Sequence, residues 1–525
     1  MNLSSVFGTT TLRAHLAARD WVLAAVFFLT GLWLYTRHND FPCFYHPDEP
    51  SKAGQVIKNE YNFNHPMLLL QTTRLISWIR DSPRTQQPVT RDGRTASALF
   101  AASAVACLVL LAAHLRSTLA GAAAGLLVLA NSQFFELAHY MKEDPALAFG
   151  IAAFFLTLVR CWLEPSTVRF VWLGVACALA VSGKYIGVLV LPLALLPVFF
   201  ASRAKLFPVA GLILGFLIVF SILNYPMLGS WGSLRTNVGE EIEYVVKGHK
   251  GQTRSVPHGV YGKVFREATN PAIWVLLVVY YGGLIVRRRQ VHPAEWTLAL
   301  FPIAFVLILS FSPKTHYRYF LPDTLLFCTL AALAVFPLKL PSGLPNSVRW
   351  LSLPIFQAAL GLVFLAALIK SGLQVGKTDA AFQNDARRRL VDFVRESIPA
   401  DATIAQDKRV NLPNRNDPRH ADSPYFLEQN IVGKLFAADV GTMDELRSRG
   451  IEYVAVSEGD YGRFFLTTHK PRGDDQDDFG RRRAFYKQLF AEGSLIWECK
   501  AGDLQYLQPA IKFYHLPATT QGAVP

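Results

Sequence analysis

Charged residues are scarce in this chain: Asp, Glu, Lys and Arg make up only 17% of its 525 residues, against 51% hydrophobic. That deficit excludes a water-exposed globule as the main architecture and places the chain among membrane proteins. Cysteine is sparse too, with six in the whole length. Cys107, Cys161, Cys177 and Cys328 fall within or beside apolar runs, where a thiol acts as a small hydrophobe, so no zinc or disulfide framework is visible. Cys43 and Cys499 would share one side of the membrane, where a pairing is conceivable. No tandem or inverted repeat is evident. The first apolar run, Trp21 to Tyr35, lacks a small-residue cleavage site and reads as a retained anchor.

What is present is a series of apolar runs, many of them matching the about 18–22 residues that cross a hydrocarbon core. Hydropathy places about eleven spans, at 20–36, 95–114, 118–135, 145–163, 168–182, 185–201, 207–224, 271–286, 295–312, 319–338 and 348–370. The 52 Lys and Arg outnumber 39 Asp and Glu, but they are dispersed over short loops, which argues against nucleic acid and for membrane orientation. With a cytoplasmic amino terminus, the inner loops hold Arg116, Arg160 with Arg169, Arg203 with Lys205, Arg287 to Arg289, and Lys339 with Arg349. Long outer regions then run from 37 to 94, from 225 to 270, and after Lys370. Within the first, Pro66 to Trp78 is apolar on one side, as a helix lying on the membrane surface would be.

From Ser371 the composition becomes that of a soluble domain. Helices are expected at 380–397, 442–449 and 479–491, and strands at 402–406, 453–457 and within 494–508. The fold class is therefore mainly α, a polytopic helical domain over 1–370 followed by an extracytoplasmic α/β domain over 371–525.

Four groups of reactive residues fall on the outer face. In Tyr45-His46-Pro47-Asp48-Glu49-Pro50, a carboxylate flanked by prolines can act as a general base, or the stretch can be an ordinary polar loop. In His139-Tyr140-Met141-Lys142-Glu143-Asp144-Pro145, Asp144 before Pro145 also makes a good helix start. Lys184 in Gly183-Lys184-Tyr185 can hold a phosphate or snorkel to the interface. Lys314-Thr315-His316-Tyr317-Arg318-Tyr319-Phe320-Leu321-Pro322 again puts cations on the outer face, against the orientation trend, and a phosphate would neutralise them. Glu240, Glu243 and His249 in the middle outer loop are weak candidates for a divalent metal, with no firm ligand spacing. Acids able to activate a nucleophile, beside cations able to hold a leaving phosphate, describe group transfer from a phosphate-activated donor.

These residues resemble the GT-C glycosyltransferases, in the branch of protein O-mannosyltransferases and aminoarabinose-transferase-like enzymes, over about residues 15–370. The carriers are Asp48-Glu49, Asn64-His65-Pro66-Met67-Leu68, Lys142-Glu143-Asp144-Pro145, Gly183-Lys184-Tyr185 and Arg318-Tyr319-Phe320-Leu321-Pro322. The resemblance implies a membrane glycosyltransferase that moves a sugar from a polyprenyl-phosphate donor to an extracytoplasmic protein, lipid or glycan by inverting displacement. It implies Asp48 as catalytic base with Glu49 in support, and Glu143 and Asp144 shaping the same cavity. Lys184 and Arg318 would hold the lipid phosphate, with His46, His65, Lys142, Tyr185, His316 and Tyr319 lining the substrate site. It also implies an integral membrane enzyme of the cell envelope, such as a bacterial inner or plasma membrane.

Many relatives have Lys-Pro-Pro where this chain has His65-Pro66-Met67, which removes a fixed charge from that position. The Trp-Trp-Asp motif of the oligosaccharyltransferases is absent. The competing classes are a secondary transporter or lipid flippase, which would keep its ionisable groups near mid-membrane, and a non-catalytic membrane scaffold.

Overall fold

The computed structural model describes residues 12–13, 15–41, 43–202, 205–247, 270–312, 317–336, 354–413, 426–466, 475–502 and 508–517. Lys314, His316, His249 and the inner-loop residues Arg203, Lys339 and Arg349 lie outside these residues.

Helices dominate the first two thirds. They are α1 (Ala18–Thr36), α2 (Glu49–Lys58), α3 (Leu68–Ile79), α4 (Gln86–Leu115), α5 (Thr118–Leu129), α6 (Ser132–Ala138), α7 (Asp144–Leu163) and α8 (Thr167–Gly183). A 3₁₀ turn, Tyr185–Val190, leads into α9 (Leu191–Phe200), and α10 (Leu206–Leu223) follows. Later helices cover Trp231–Lys247, Pro271–Val286, Pro293–Ser310, Leu321–Ala334 and Pro354–Gln383. Each expected span overlaps one of these helices or a linked pair.

The count of eleven spans does not follow from them. Among the described residues six helices are long and apolar enough to cross a membrane, or seven with the pair α5 and α6, which bends by 67°. Thr167–Gly183, Tyr185–Phe200 and Pro271–Val286 are apolar but shorter, and Leu321–Ala334 has only 14 residues. The outward faces are apolar: Trp21, Val22, Leu29 and Trp33 on α1 are exposed, as are Ile213, Leu214, Leu217 and Ile222 on α10. Water would not tolerate so continuous a band, whereas lipid accepts it without cost.

Inside, α7, α8 and α10 meet through glycines. A Cβ at Gly150 would overlap the Ala180 backbone, and one at Gly215 the Val171 carbonyl. Such small-residue seams let apolar helices approach where lipid supplies no hydrophobic drive for association. The segment expected to lie on the membrane surface is α3. It buries Leu68, Leu69, Leu70 and Thr73 and exposes Leu75, Trp78 and Ile79.

The helix Pro354–Gln383 runs unbroken through the expected boundary at residue 370, so the compositional change falls inside a continuous element. Ala386–Ser397 follows, capped by Asp385, whose side chain accepts from Arg387 N. Five strands come next: β1 (Thr403–Gln406), β2 (Asn430–Gly433), β3 (Tyr453–Ser457), β4 (Ser494–Cys499) and β5 (Ile511–His515). The sheet order is β2-β1-β3-β5-β4, parallel across β2, β1 and β3 and antiparallel across β3, β5 and β4. Separate apolar cores cover its two faces. One includes Leu390, Val391 and Val394, and the other Phe485, Tyr486 and Leu489. All six cysteines are unpaired thiols.

Candidate active site

Asp48 precedes α2, whose first turn carries Pro50. Its carboxylate makes no cap hydrogen bond to that helix and is paired instead with Lys142 Nζ, 94 residues away in sequence. Lys142 is only 2% exposed, whereas the Asp48 side chain is 46% exposed, so one face of the pair is open. Glu143, at the start of α7, likewise makes no cap bond; its Oε1 pairs with Lys52 Nζ. Its Oε2 lies 3.9 Å from Lys142 Nζ. Capping therefore does not account for the acids of either motif.

The other cations close the group. Lys184 Nζ donates to Asp144 Oδ1 at 2.7 Å and lies 4.7 Å from the centre of the Tyr319 ring. Arg318 Nη1 is 2.6 Å from His46 Nε2, and its guanidinium stacks 5.2 Å from Tyr319. On the other side of the ring, Asp48 N donates to His46 Nδ1 at 3.1 Å, with Asp48 Oδ2 at 3.7 Å from the same nitrogen.

Lys184 reaches Asp144 because Gly183 has no side chain. A Cβ there would lie 2.7 Å from Leu147 N and 2.9 Å from Ala146 O, holding the end of α8 away from the start of α7. Gly183→Ala is expected to destabilise the protein by about 1–3 kcal/mol through overpacking and to pull Lys184 off Asp144. Unfolding of the purified variant tests this, and a parent-like midpoint would remove Gly183 from the account.

Electrostatics follow from the crowding. Burial pushes the Asp48 carboxyl up, but Lys142, with His46, Lys52 and Arg318, pulls it well below the usual carboxylate range. Burial, then Lys142 and Arg318, hold His46 well below the usual histidine range. Burial and the charges of Lys52, Lys142 and Lys184 do the same to His65. Burial lowers Lys142 and Lys52 as well. Lys52, Lys142, Lys184 and Arg318 thus crowd around Asp48, Glu143 and Asp144, and Arg318 also acts on the buried Glu136.

Glu49 stands apart from this group. It and Arg94 are both 0% exposed. Its two oxygens accept from Arg94 Nε and Nη2 at 3.2 and 2.8 Å and from Tyr45 N and Met141 N at 2.8 and 2.9 Å. That occupancy holds the loop before α2 in shape and leaves no proton-transfer position. Tyr185 also braces: its hydroxyl donates to Phe63 O at 2.8 Å.

Sequence reasoning missed Lys52 and Arg94. Lys52 is four residues after Asp48, one helical turn on, which is the available signal. Arg94 is a charge buried within the third turn of α4, just where an apolar run begins. Glu240 and Glu243 are exposed on the helix Trp231–Lys247, and among the described residues no three His, Cys, Asp or Glu side chains converge as metal ligands.

Residues 73–226 match the family model described as dolichyl-phosphate-mannose-protein mannosyltransferase. No curated protein sequence matches the chain. Among solved structures, ArnT from Cupriavidus metallidurans in the apo state aligns with a TM-score of 0.50 at 16% identity, covering 95% of this chain and 98% of that one. The same protein bound to undecaprenyl phosphate aligns at 0.49, with the same identity and coverage. The archaeal oligosaccharyltransferase AglB from Archaeoglobus fulgidus, in complex with an inhibitory peptide and a dolichol-phosphate, aligns at 0.47 and 10% identity over 85% of this chain and 70% of that one.

Proposed function

Proceeding from a fold shared with the GT-C glycosyltransferases and a mannosyltransferase family match over residues 73–226, we propose that this chain is a membrane glycosyltransferase. It moves a sugar from a polyprenyl-phosphate donor to an acceptor outside the cytoplasm. The observation that carries the reading is the half-open Asp48 carboxylate paired with Lys142, with Lys184 and Arg318 gathered at the Tyr319 ring. A phosphodiester donor would set its negative charge against these cations.

In the reaction, the acceptor hydroxyl oxygen attacks the anomeric carbon as the carbon–oxygen bond to phosphate breaks. The hydroxyl proton passes to Asp48, and the polyprenyl phosphate leaves with the bonding electrons, inverting the anomeric centre. Lys184 and Arg318, stacked on Tyr319, stabilise the departing phosphate. Lys142 links the two halves. Paired with Asp48 before the donor arrives, it turns toward the phosphate on binding, so the carboxylate loses a stabilising cation and becomes a stronger base. Glu143 and Asp144 orient Lys52 and Lys184, while Glu49 and Arg94 set the loop that presents Asp48. A neutral His46 transmits the position of Arg318 to the same turn.

The test is mass spectrometry of lipids retained by the protein in native membrane discs, with and without added polyprenyl-phosphate sugar. Retention of such a lipid, and its consumption on adding acceptor extract, is expected; a folded protein that binds none of them overturns the reading. Lys184→Met should weaken donor retention by about tenfold, the worth of one charge-assisted contact. Unchanged retention would exclude Lys184 from the phosphate site.

A further inference from the structure

A second concavity lies where the outer loop of the helical domain meets the sheet domain. It is a cavity of about 300 Å³, at the lower end of the range for small-molecule sites. One wall is Phe44, Tyr45, Pro47 and Pro50, so the prolines that flank Asp48-Glu49 belong to it. The opposite wall is formed at the carboxyl ends of the parallel strands β1 and β2, by Gln406 and Gly433 with the segments that follow. Crevices at the carboxyl ends of parallel strands are the usual ligand sites of such sheets.

The chemistry of the lining is one-sided. Arg387, Lys408, Arg409 and Lys434 contribute to it, and no Asp or Glu does. Arg387 is committed to structure, since it pairs with Asp385 and donates to Phe44 O, which fixes the two walls to each other. Arg409 is partly held by Asp460, at 3.3 Å. Lys408 and Lys434 are exposed, with no ion pair among the described residues. Asn411 supplies a second kind of observation. It lines the cavity, is 8% exposed, and its amide nitrogen is buried with no hydrogen-bond partner among the described residues. A buried amide donor left unmatched calls for an acceptor oxygen from a ligand.

We propose that this cavity binds the acceptor, and that the acceptor is a sugar bearing a phosphate or carboxylate group. This rests on the transferase reading above. Lys408 and Lys434 take the anionic group, Asn411 donates to a ring substituent, and the proline-flanked turn brings a hydroxyl of the same sugar toward Asp48. The small volume fits a glycosyl unit. An extended peptide would need a longer groove.

The experiment uses the full-length protein in membrane discs and measures binding of glucose 1-phosphate, glucuronate, glucose and inorganic phosphate by calorimetry. At least one of the two anionic sugars should bind about tenfold or more tighter than glucose, as one charged contact implies, and tighter than inorganic phosphate. In a Lys408→Ala/Lys434→Ala variant that preference should disappear, while retention of polyprenyl-phosphate lipid stays at the parent level. Equal binding of sugar and anionic sugar, a match by inorganic phosphate, or an unaltered preference in the variant would each overturn the proposal. So would selective binding of an acidic peptide, which would point to a protein acceptor. Donor retention is read separately: a parent protein that binds anionic sugars but no polyprenyl-phosphate lipid defeats the transferase reading and leaves the binding site in place.

Discussion

Replacing Asp48 with Asn is expected to lower sugar transfer by about 100- to 10,000-fold, the usual share of a positioned general base, while the folded protein still retains donor lipid. The amide keeps the shape of the carboxylate but cannot take a proton from the acceptor hydroxyl. Among the cluster's three carboxylates only this one is substantially open, at 46% exposure against 2% for Glu143 and Asp144. Turnover is measured with purified protein and a defined donor, alongside unfolding and lipid retention. A fully active variant would remove Asp48 as the base.

The pH profile gives an independent check. Burial raises the Asp48 carboxyl, yet Lys142, His46, Lys52 and Arg318 together depress it well below its ordinary value. The working form is deprotonated, so both activity and the Asp48–Lys142 pair are present above that depressed value and are lost as pH falls through it. The acid limb of the free enzyme's profile should therefore lie below the usual aspartate value of about 4. An acid limb near neutrality would assign proton transfer to another group.

Arg94→Met is expected to produce the largest loss of stability, about 3–5 kcal/mol, because it strands the fully buried Glu49 carboxylate. Native proteins hold a total of only about 5–15 kcal/mol. Arg94 does more than pair with Glu49. Its Nη1 donates to Asn39 O and Phe41 O at 3.0 and 2.7 Å, and Nη2 to Cys43 O at 2.9 Å. The guanidinium also lies 4.0 Å from the centre of the Tyr45 ring. One side chain thus folds residues 39–49 around itself and delivers Asp48 to Lys142.

Chemical unfolding of the purified variant measures the cost. Arg94→Lys should rescue little, since an ammonium cannot reproduce the planar fork. Adding Glu49→Gln to Arg94→Met should recover part of the loss by removing the stranded charge. A single variant with the parent's unfolding midpoint would refute the bracing role.

The sequence by itself determined the membrane class, the places of the apolar helices and the strands Thr403–Gln406, Tyr453–Ser457 and Ser494–Cys499, because those signals are local. An apolar run crossing lipid, the Asp144-Pro145 helix start and the apolar strand Tyr453–Ser457 are each readable within a few residues. Gly183-Lys184 was readable as a motif for the same reason. The strand Asn430–Gly433 was missed because it is short and half exposed, with no alternating pattern, and the last strand, Ile511–His515, lies beyond the expected 494–508.

Only the tertiary structure decided which charge meets which. Asp48 finds Lys142 across 94 residues, and His46 finds Arg318 across 272, while Lys184 meets Asp144 because Gly183 lets α8 approach α7. The same packing separated Glu49 from Asp48. Adjacent in sequence, they point to opposite environments at a helix start, one enclosed by Arg94 and backbone amides and the other left open. The interdomain cavity was invisible for a related reason: its walls are residues 44–50 and 387–435, and neither wall has the composition of a site until the fold brings them together.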